Sequence, residues 1–304
     1  MPLNPGDEAM TTITMGRRAM LGGSMALCTA TMLGGTCAHA ATAAEANRKI
    51  NVAGRQRMLT QRMSRSAVFA AMEVEPARHV DLLEVSRADF SRALDGLHYG
   101  DADLGLPEEE HAPVREQIAV VEDLWYPFES MARRIVDRGA AHDREILHIA
   151  EANVPLLEES DRLVDLLVQY YGTEDTDMGR AIAINIAGRQ RMLSQKMTKE
   201  AGLIAYGWRS EVTADDLAET IRLFEDSLAA LMTGNPSFTL PRPPEEVWTQ
   251  LTEVKGLWEG FAPQVRDVAA AVAADGAHLT FLAARSDPLL AAMNEAVRRY
   301  EVAA

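Results

Sequence analysis

A sixteen-residue box occurs twice in this chain, as INVAGRQRMLTQRMSR over residues 50–65 and as INIAGRQRMLSQKMTK over residues 184–199. Eleven of the sixteen aligned positions are identical, and the five exchanges (Val52/Ile186, Thr60/Ser194, Arg62/Lys196, Ser64/Thr198, Arg65/Lys199) keep charge or shape. Self-similarity at a fixed offset marks duplication of a whole structural unit, so whatever one half folds into, the other folds into as well. A repeat kept only for packing would hold its apolar rhythm and let its polar letters drift. Here Asn51/Asn185, Arg55/Arg189, Gln56/Gln190, Arg57/Arg191 and Gln61/Gln195 are all retained, which places the candidate function in the box.

The duplication extends past the box. Phe90, Leu94 and Gly100 recur as Phe224, Leu228 and Gly234 at the same offset. Leu124-Trp125-x-x-Phe128 and Pro155-Leu156-Leu157 recur one residue closer, as Leu257-Trp258-x-x-Phe261 and Pro288-Leu289-Leu290. Apolar residues return every three to five positions, as in Leu82, Val85, Phe90, Leu94 and Leu97, and no alternating β-branched runs occur, which predicts helices throughout. Breakers such as Gly100 to Pro107, Arg138-Gly139, Gly172 to Asp177 and Asn235 to Pro244 divide the chain into four helices per half. The expected spans are 45–75, 78–98, 108–138 and 141–171, then 178–208, 214–233, 244–273 and 279–302. Long helices with short connections predict an all-α protein of two tandem up-down four-helix bundles. The expected domains are residues 41–172 and 178–304, and they should touch across the acidic turn at 172–177.

Residues 1–40 read as an export signal. Arg17-Arg18 precede an apolar stretch from Ala19 to Leu33, which ends at the small-residue site Ala38-His39-Ala40. The stretch is shorter than the roughly 20 residues that span a bilayer. The twin arginine resembles a Tat signal, with Sec export the plainer alternative, and the mature chain is expected to be soluble in the periplasm. Both cysteines, Cys28 and Cys37, fall in the signal, so the remainder has no thiol chemistry and must rely on an apolar core. The net charge of −15 disfavours nucleic acid as a partner. Against that acidity, Arg55, Arg57, Arg62 and Arg65 stand without an acid among them, as do Arg189, Arg191, Lys196 and Lys199. Two cationic islands in an acidic protein suggest a small anion as ligand.

On a helix, Ile50, Ala53, Gly54, Arg57, Gln61 and Ser64 share one face. Ala53 and Gly54 would let a second helix approach closely, and a mid-helix glycine costs about 1 kcal/mol relative to alanine, a cost that needs compensation. A guanidinium beside that crossing, with Asn51 and Gln61 a turn or so away, suits a planar oxyanion because its fork of donors matches two oxygens at once. The second copy presents Asn185, Gly188, Arg191 and Gln195 in the same way. The competing reading makes Arg57 and Arg191 ordinary ion-pair partners of acids elsewhere in the bundles. Arg55 and Arg189 lie off the shared face and read as solvated or capping residues, while Met58, Leu59 and Met63 and their copies Met192, Leu193 and Met197 read as core.

The box resembles the hallmark of the PilJ-type domain, the N-terminal region of type IV pili methyl-accepting chemotaxis transducers. It is also similar to the Asn-x-Ala-Gly-x-x-Arg-Met pattern in the periplasmic domains of nitrate/nitrite sensor kinases, met here by Asn51, Ala53, Gly54, Arg57, Met58 and by Asn185, Ala187, Gly188, Arg191, Met192. The resemblance implies four-helix sensor domains in which nitrate-type anions bind where two box helices meet. It implies Arg57 and Arg191 as anion ligands, with main chain and small residues near Gly54 and Gly188 closing the site. The ligand-binding set expected is thus Asn51, Gly54, Arg57, Gln61, Asn185, Gly188, Arg191 and Gln195. With no signalling module before Ala304, handover to a membrane receptor, sensor kinase or transporter is expected, and a homodimer is compatible with the boxes.

Glu108-x-x-His111 and Glu145-x-x-His148 have the spacing of di-iron bundle ligands. The first sits at a helix start before Pro113, and Pro241, Pro244, His278 and Phe281 occupy the corresponding places in the second half, so no metal site or cofactor is expected. Trp125 and Trp258 read as packing anchors. No nucleophile and base, phosphate loop or paired-carboxylate cleft emerges, and the chain is not read as an enzyme. The expected function is a ligand-binding, sensory protein for a nitrate-like oxyanion. The rival is an interaction bundle that docks on a membrane receptor or pilus component and binds nothing small.

Overall fold

A computed structural model describes residues 42–172, 177–208, 212–270 and 276–303. The export signal expected over residues 1–40, and most of the acidic turn between the halves, lie outside the described residues. The described residues form eight α-helices: α1 (Ala43–Ala71), α2 (Pro76–Tyr99), α3 (Ala112–Arg138), α4 (Asp143–Tyr171), α5 (Met178–Tyr206), α6 (Ala214–Thr233), α7 (Glu245–Ala269) and α8 (Gly276–Val302). The all-α expectation holds. Residues 41–304 make one compact unit.

Local chemistry accounts for the helix ends. Thr42 caps α1 in a reciprocal box with Glu45, and Thr213 caps α6 likewise with Asp216. α3 begins at Ala112, four residues later than expected, because Pro113 fits only the first turn of a helix. Gly100 and Gly234, both at positive φ, end α2 and α6 and start short loops bridged at Asp101–Leu106 and Asn235–Leu240. An added Cβ would lie 3.0 Å from the Glu108 nitrogen at Gly100 and 2.8 Å from the Arg242 nitrogen at Gly234, so both loops require glycine.

In each half, successive helices touch and the fourth returns to the first. The contacts fix their directions. Arg55 meets Asp89 while Phe69 meets His79, so α2 runs back along α1. Lys49 meets Tyr171 while Gln61 meets Asn153, so α4 runs antiparallel to α1 as well. Trp125 stacks on Phe90 at 4.1 Å, and Trp258 lies 4.6 Å from Phe224. Both tryptophans are buried helix-packing anchors.

The principal seam between the halves is α1 against α5. These two box helices run parallel and in register: Val68 and Phe69 face Gly202, while Arg57 and Arg191 face the opposite box. At Gly202 the approach is tight, with an added Cβ 2.8 Å from the Phe69 ring. The helical face of the box gave no sign of this contact, since Gly202 lies beyond its end. No described helix is long and apolar enough to cross a membrane.

Candidate functional site

The centre of the α1–α5 seam is a pair of buried guanidiniums. The Arg57 side chain is completely buried, and Arg191 is 3% exposed. Each reaches across the seam to the other helix: Arg57 Nη2 donates to the Asn185 carbonyl at 3.3 Å, and Arg191 Nη2 donates to the Asn51 carbonyl at 3.2 Å. The two bonds exchange partners at the repeat offset, so the seam has a local two-fold relation. Both Nη2 atoms lie against both glycines, 3.2–3.3 Å from where a Cβ would stand on Gly54 or Gly188. The glycines therefore make room for arginine heads. The tightest packing of a glycine across the seam comes nearly four turns beyond, at Gly202, against the Val68 and Phe69 side chains.

Burial of a guanidinium is costly unless its charge is matched. In the first half the match is Asp161 on α4, which accepts from Arg57 Nη1 and, at 2.7 Å, from Arg189 Nη2. These two arginines hold the Asp161 carboxyl below its ordinary range against the opposing effect of burial. Arg189 is thus a full member of the cluster; it lies off the Arg191 face because it crosses from α5 to α4 of the other half instead of to α1.

The second half lacks this match. At the offset of the Pro-Leu-Leu segments, the residue equivalent to Asp161 is Asn294. Arg191 Nη1 reaches the Asn294 amide oxygen at 3.5 Å, and no carboxylate among the described residues forms an ion pair with Arg191. Its Nε is buried without a hydrogen-bond partner. Burial, followed by repulsion from Arg57 and Arg55, works against its charge. The nearest acid acting on it is Glu301, which accepts from Asn51 at 2.7 Å and pairs with Arg48 at 3.3 Å. Arg55, the equivalent of Arg189, turns away to Asp89 at 2.6 Å.

A cavity of about 340 Å³ opens on this side, lined by Arg48, Asn51, Arg55 and Arg191 and by the loop from Ala102 to Gly105. It lies at the low end of the roughly 300–1,000 Å³ typical of small-molecule sites.

Six of the eight expected site residues meet at the seam: Asn51, Gly54, Arg57, Asn185, Gly188 and Arg191. Gln61 and Gln195 do not join them. Gln61 donates to the Asn153 amide oxygen at 2.9 Å, and Gln195 to the Ser286 carbonyl at 3.5 Å, so each binds its box helix to the last helix of its own half. Asp161, Asn294 and Glu301 escaped the sequence reading because no motif surrounds them. Aligning the two Pro-Leu-Leu segments would have set Asp161 opposite Asn294 and exposed the missing acid.

The lower end of the seam repeats the asymmetry. Arg65 bonds Ser286 and Asp287 of α8, and Arg62 and Arg78 surround the same carboxylate. Its equivalent Lys199 crosses to Asn153 of α4 at 3.0 Å, but Val154 stands where Asp287 would be. Burial lowers the Lys199 ammonium to about 8.

A protein-family model described as Type IV pili methyl-accepting chemotaxis transducer N-term, PilJ, matches residues 40–146 and 176–283, once over each half. No curated protein matches the chain.

Proposed function

This chain belongs to the PilJ family, and on that premise we propose that it is a ligand-binding sensory protein that takes a small nitrate-like oxyanion at the paired boxes. The observation that carries the reading is Arg191: a buried guanidinium with no carboxylate partner among the described residues and a cavity beside it. A buried unmatched cation is a standing cost to the fold, and an anion would remove it. An oxyanion held by Arg191 and by Asn51 would touch both box helices, so occupancy would bias the α1–α5 seam. A membrane receptor, sensor kinase or transporter that reads the position of that seam completes the proposal. The leader over residues 1–40 and the family's sensory role together favour work in the periplasm, after export through Tat.

Arg57 favours the second reading, a purely structural box, because Asp161 already matches its charge. Arg191 has no such match among the described residues, which supports the first reading. Titration calorimetry of the purified protein with nitrate and nitrite, with a melting curve for each sample, tests the proposal. The expected result is saturable binding that raises the melting temperature. Neither heat nor a shift, at concentrations up to tens of millimolar, would leave the interaction-bundle reading in its place.

A further inference from the structure

The two sides of the seam are built alike and filled differently. On one side, Arg57 and Arg189 share the Asp161 carboxylate, and Ile182 is the residue equivalent to Arg48. On the other, the equivalent arginines are Arg191 and Arg55, the acid is replaced by Asn294, and Arg48 takes the place of Ile182. All three of these arginines line the cavity, whereas the Asn294 amide, which stands where the carboxylate would, is not part of its lining. We infer that Asp161 does internally, for Arg57 and Arg189, what an external ligand does on the other side, and that the protein takes one external planar anion in the cavity, between Arg191, Arg55 and Arg48.

Several features agree with this placement. A carboxylate and a nitrate both present two oxygens in a plane, the form that Asp161 offers to its two guanidiniums. An asparagine in place of the acid leaves the Arg191 charge unneutralised and adds no negative charge to repel an anion in the cavity. Arg55 is 41% exposed at its side chain and held by the half-exposed Asp89 alone, so it can swing inward at little cost. Glu301 and Asp103 set the limits of the site. Glu301 already occupies Arg48 and Asn51 on the inner wall, and Asp103 at the mouth pairs with Arg92. A single negative charge is matched there, and a dianion would meet Glu301. The cavity is larger than an inorganic oxyanion needs, which makes room for a short organic tail. The chemical class is therefore a planar monoanion with two oxygens, either nitrate or a small monocarboxylate.

This inference rests on the oxyanion reading of the box and sharpens it to one side. Its test is titration of wild type, Asn294→Asp, Asp161→Asn and Arg55→Gln with nitrate and with propionate. Wild type should bind one anion per chain, and the tighter of the two probes names the source. Asn294→Asp installs a second internal carboxylate and should weaken binding by about 100-fold or more, while keeping or raising the melting temperature. Arg55→Gln should weaken it roughly 10-fold. Asp161→Asn should open the mirror place, giving two anions per chain and a melting temperature that nitrate or propionate restores. Wild-type binding that survives unchanged in Asn294→Asp would overturn the placement while leaving the oxyanion reading standing. Absence of binding by wild type to either probe would overturn both. An Asn294→Asp protein that fails to fold is replaced in the test by Arg55→Glu, which puts a carboxylate on the cavity wall and should weaken binding by about 100-fold; unchanged binding would likewise overturn the placement.

Discussion

The two halves share their helices, their glycine-bearing loops and their box, yet they treat buried cations differently. In the first, each buried arginine of the box has a carboxylate: Arg57 has Asp161, and Arg65 has Asp287. In the second, Arg191 faces Asn294 and Lys199 faces Asn153. Duplication would have produced equal halves, so the departures are informative: Asn294 on α8 stands where α4 has Asp161, and Val154 on α4 stands where α8 has Asp287. Charged side chains out of water need partners or ligands. The first box, with its pairs complete, does the work of a scaffold, and the second keeps an unmet demand for negative charge at the seam.

The comparison breaks most directly at Asp161. Asp161→Ala leaves Arg57 buried beside Arg191 and Arg189 with only the weaker influence of Asp165 to match it, and should destabilise the protein by about 3 kcal/mol. Asn294→Ala should cost about 1 kcal/mol, since the bond it removes, although its donor is charged, is long at 3.5 Å. Urea unfolding of both variants measures the difference; equal losses would show that Asp161 does not compensate Arg57.

The lower pair should differ in sign as well as size. Arg65→Met strands Asp287 with only the partly exposed Arg62 and Arg78, and should destabilise by about 2 kcal/mol. Lys199→Met at neutral pH should be neutral or stabilising by about 1 kcal/mol, since it removes a buried charge that has only an amide for partner. Its pH dependence follows from burial. The unfolded lysine titrates near 10.4 and the folded one near 8, so the charge opposes folding below pH 8. That cost fades as pH rises from 8 towards 10, and wild type should overtake the mutant there in melting temperature. Glu200, which Lys196 engages at 2.5 Å, is the acid closest in sequence. A gain from Lys199→Met that persists undiminished at pH 10 would refute this account.

Gly202→Ala tests the parallel seam itself. Helix propensity favours alanine by about 1 kcal/mol, but the new methyl would press on the Phe69 ring, and overpacking of this kind costs about 1–3 kcal/mol. Net destabilisation of about 1 kcal/mol is expected in thermal unfolding, whereas stabilisation would mean that α1 and α5 are further apart. The smallest effect should come from Arg48→Ile, which copies Ile182 of the other half. Arg48 is half exposed, so stability should change by less than about 0.5 kcal/mol. Anion affinity should fall by no more than about threefold, mostly through the association rate at low salt.

Much of the architecture could be read directly from residue order. α2, α4, α5, α6 and α8 fall within three residues of the spans expected from periodicity and breakers, because helix rhythm and caps are local properties. The pairing of the boxes was also legible, since Gly54 with Arg57 and Gly188 with Arg191 are matching faces on one chain. The glycines' task was not: they clear space for the guanidinium ends, a role that depends on where the opposite helix stands. Gln61 and Gln195 were retained in both copies for a different reason, binding each box helix to α4 or α8. Retention of a polar residue records that a partner exists, and says nothing of whether the partner is protein or ligand.

By itself the sequence determined eight helices, a duplication, and two sets of cations placed on equivalent faces. Those follow from interactions among residues at most a few turns apart. Which cation is neutralised and which is left unmatched was decided only when α4 and α8 closed against the boxes and brought Asp161, 104 positions from Arg57, and Asn294, 103 positions from Arg191, into reach. Electrostatic matching in a buried seam depends on distances of a few ångströms between helices remote in the chain, and one exchange of acid for amide changes it without any trace in helix pattern, composition or motif.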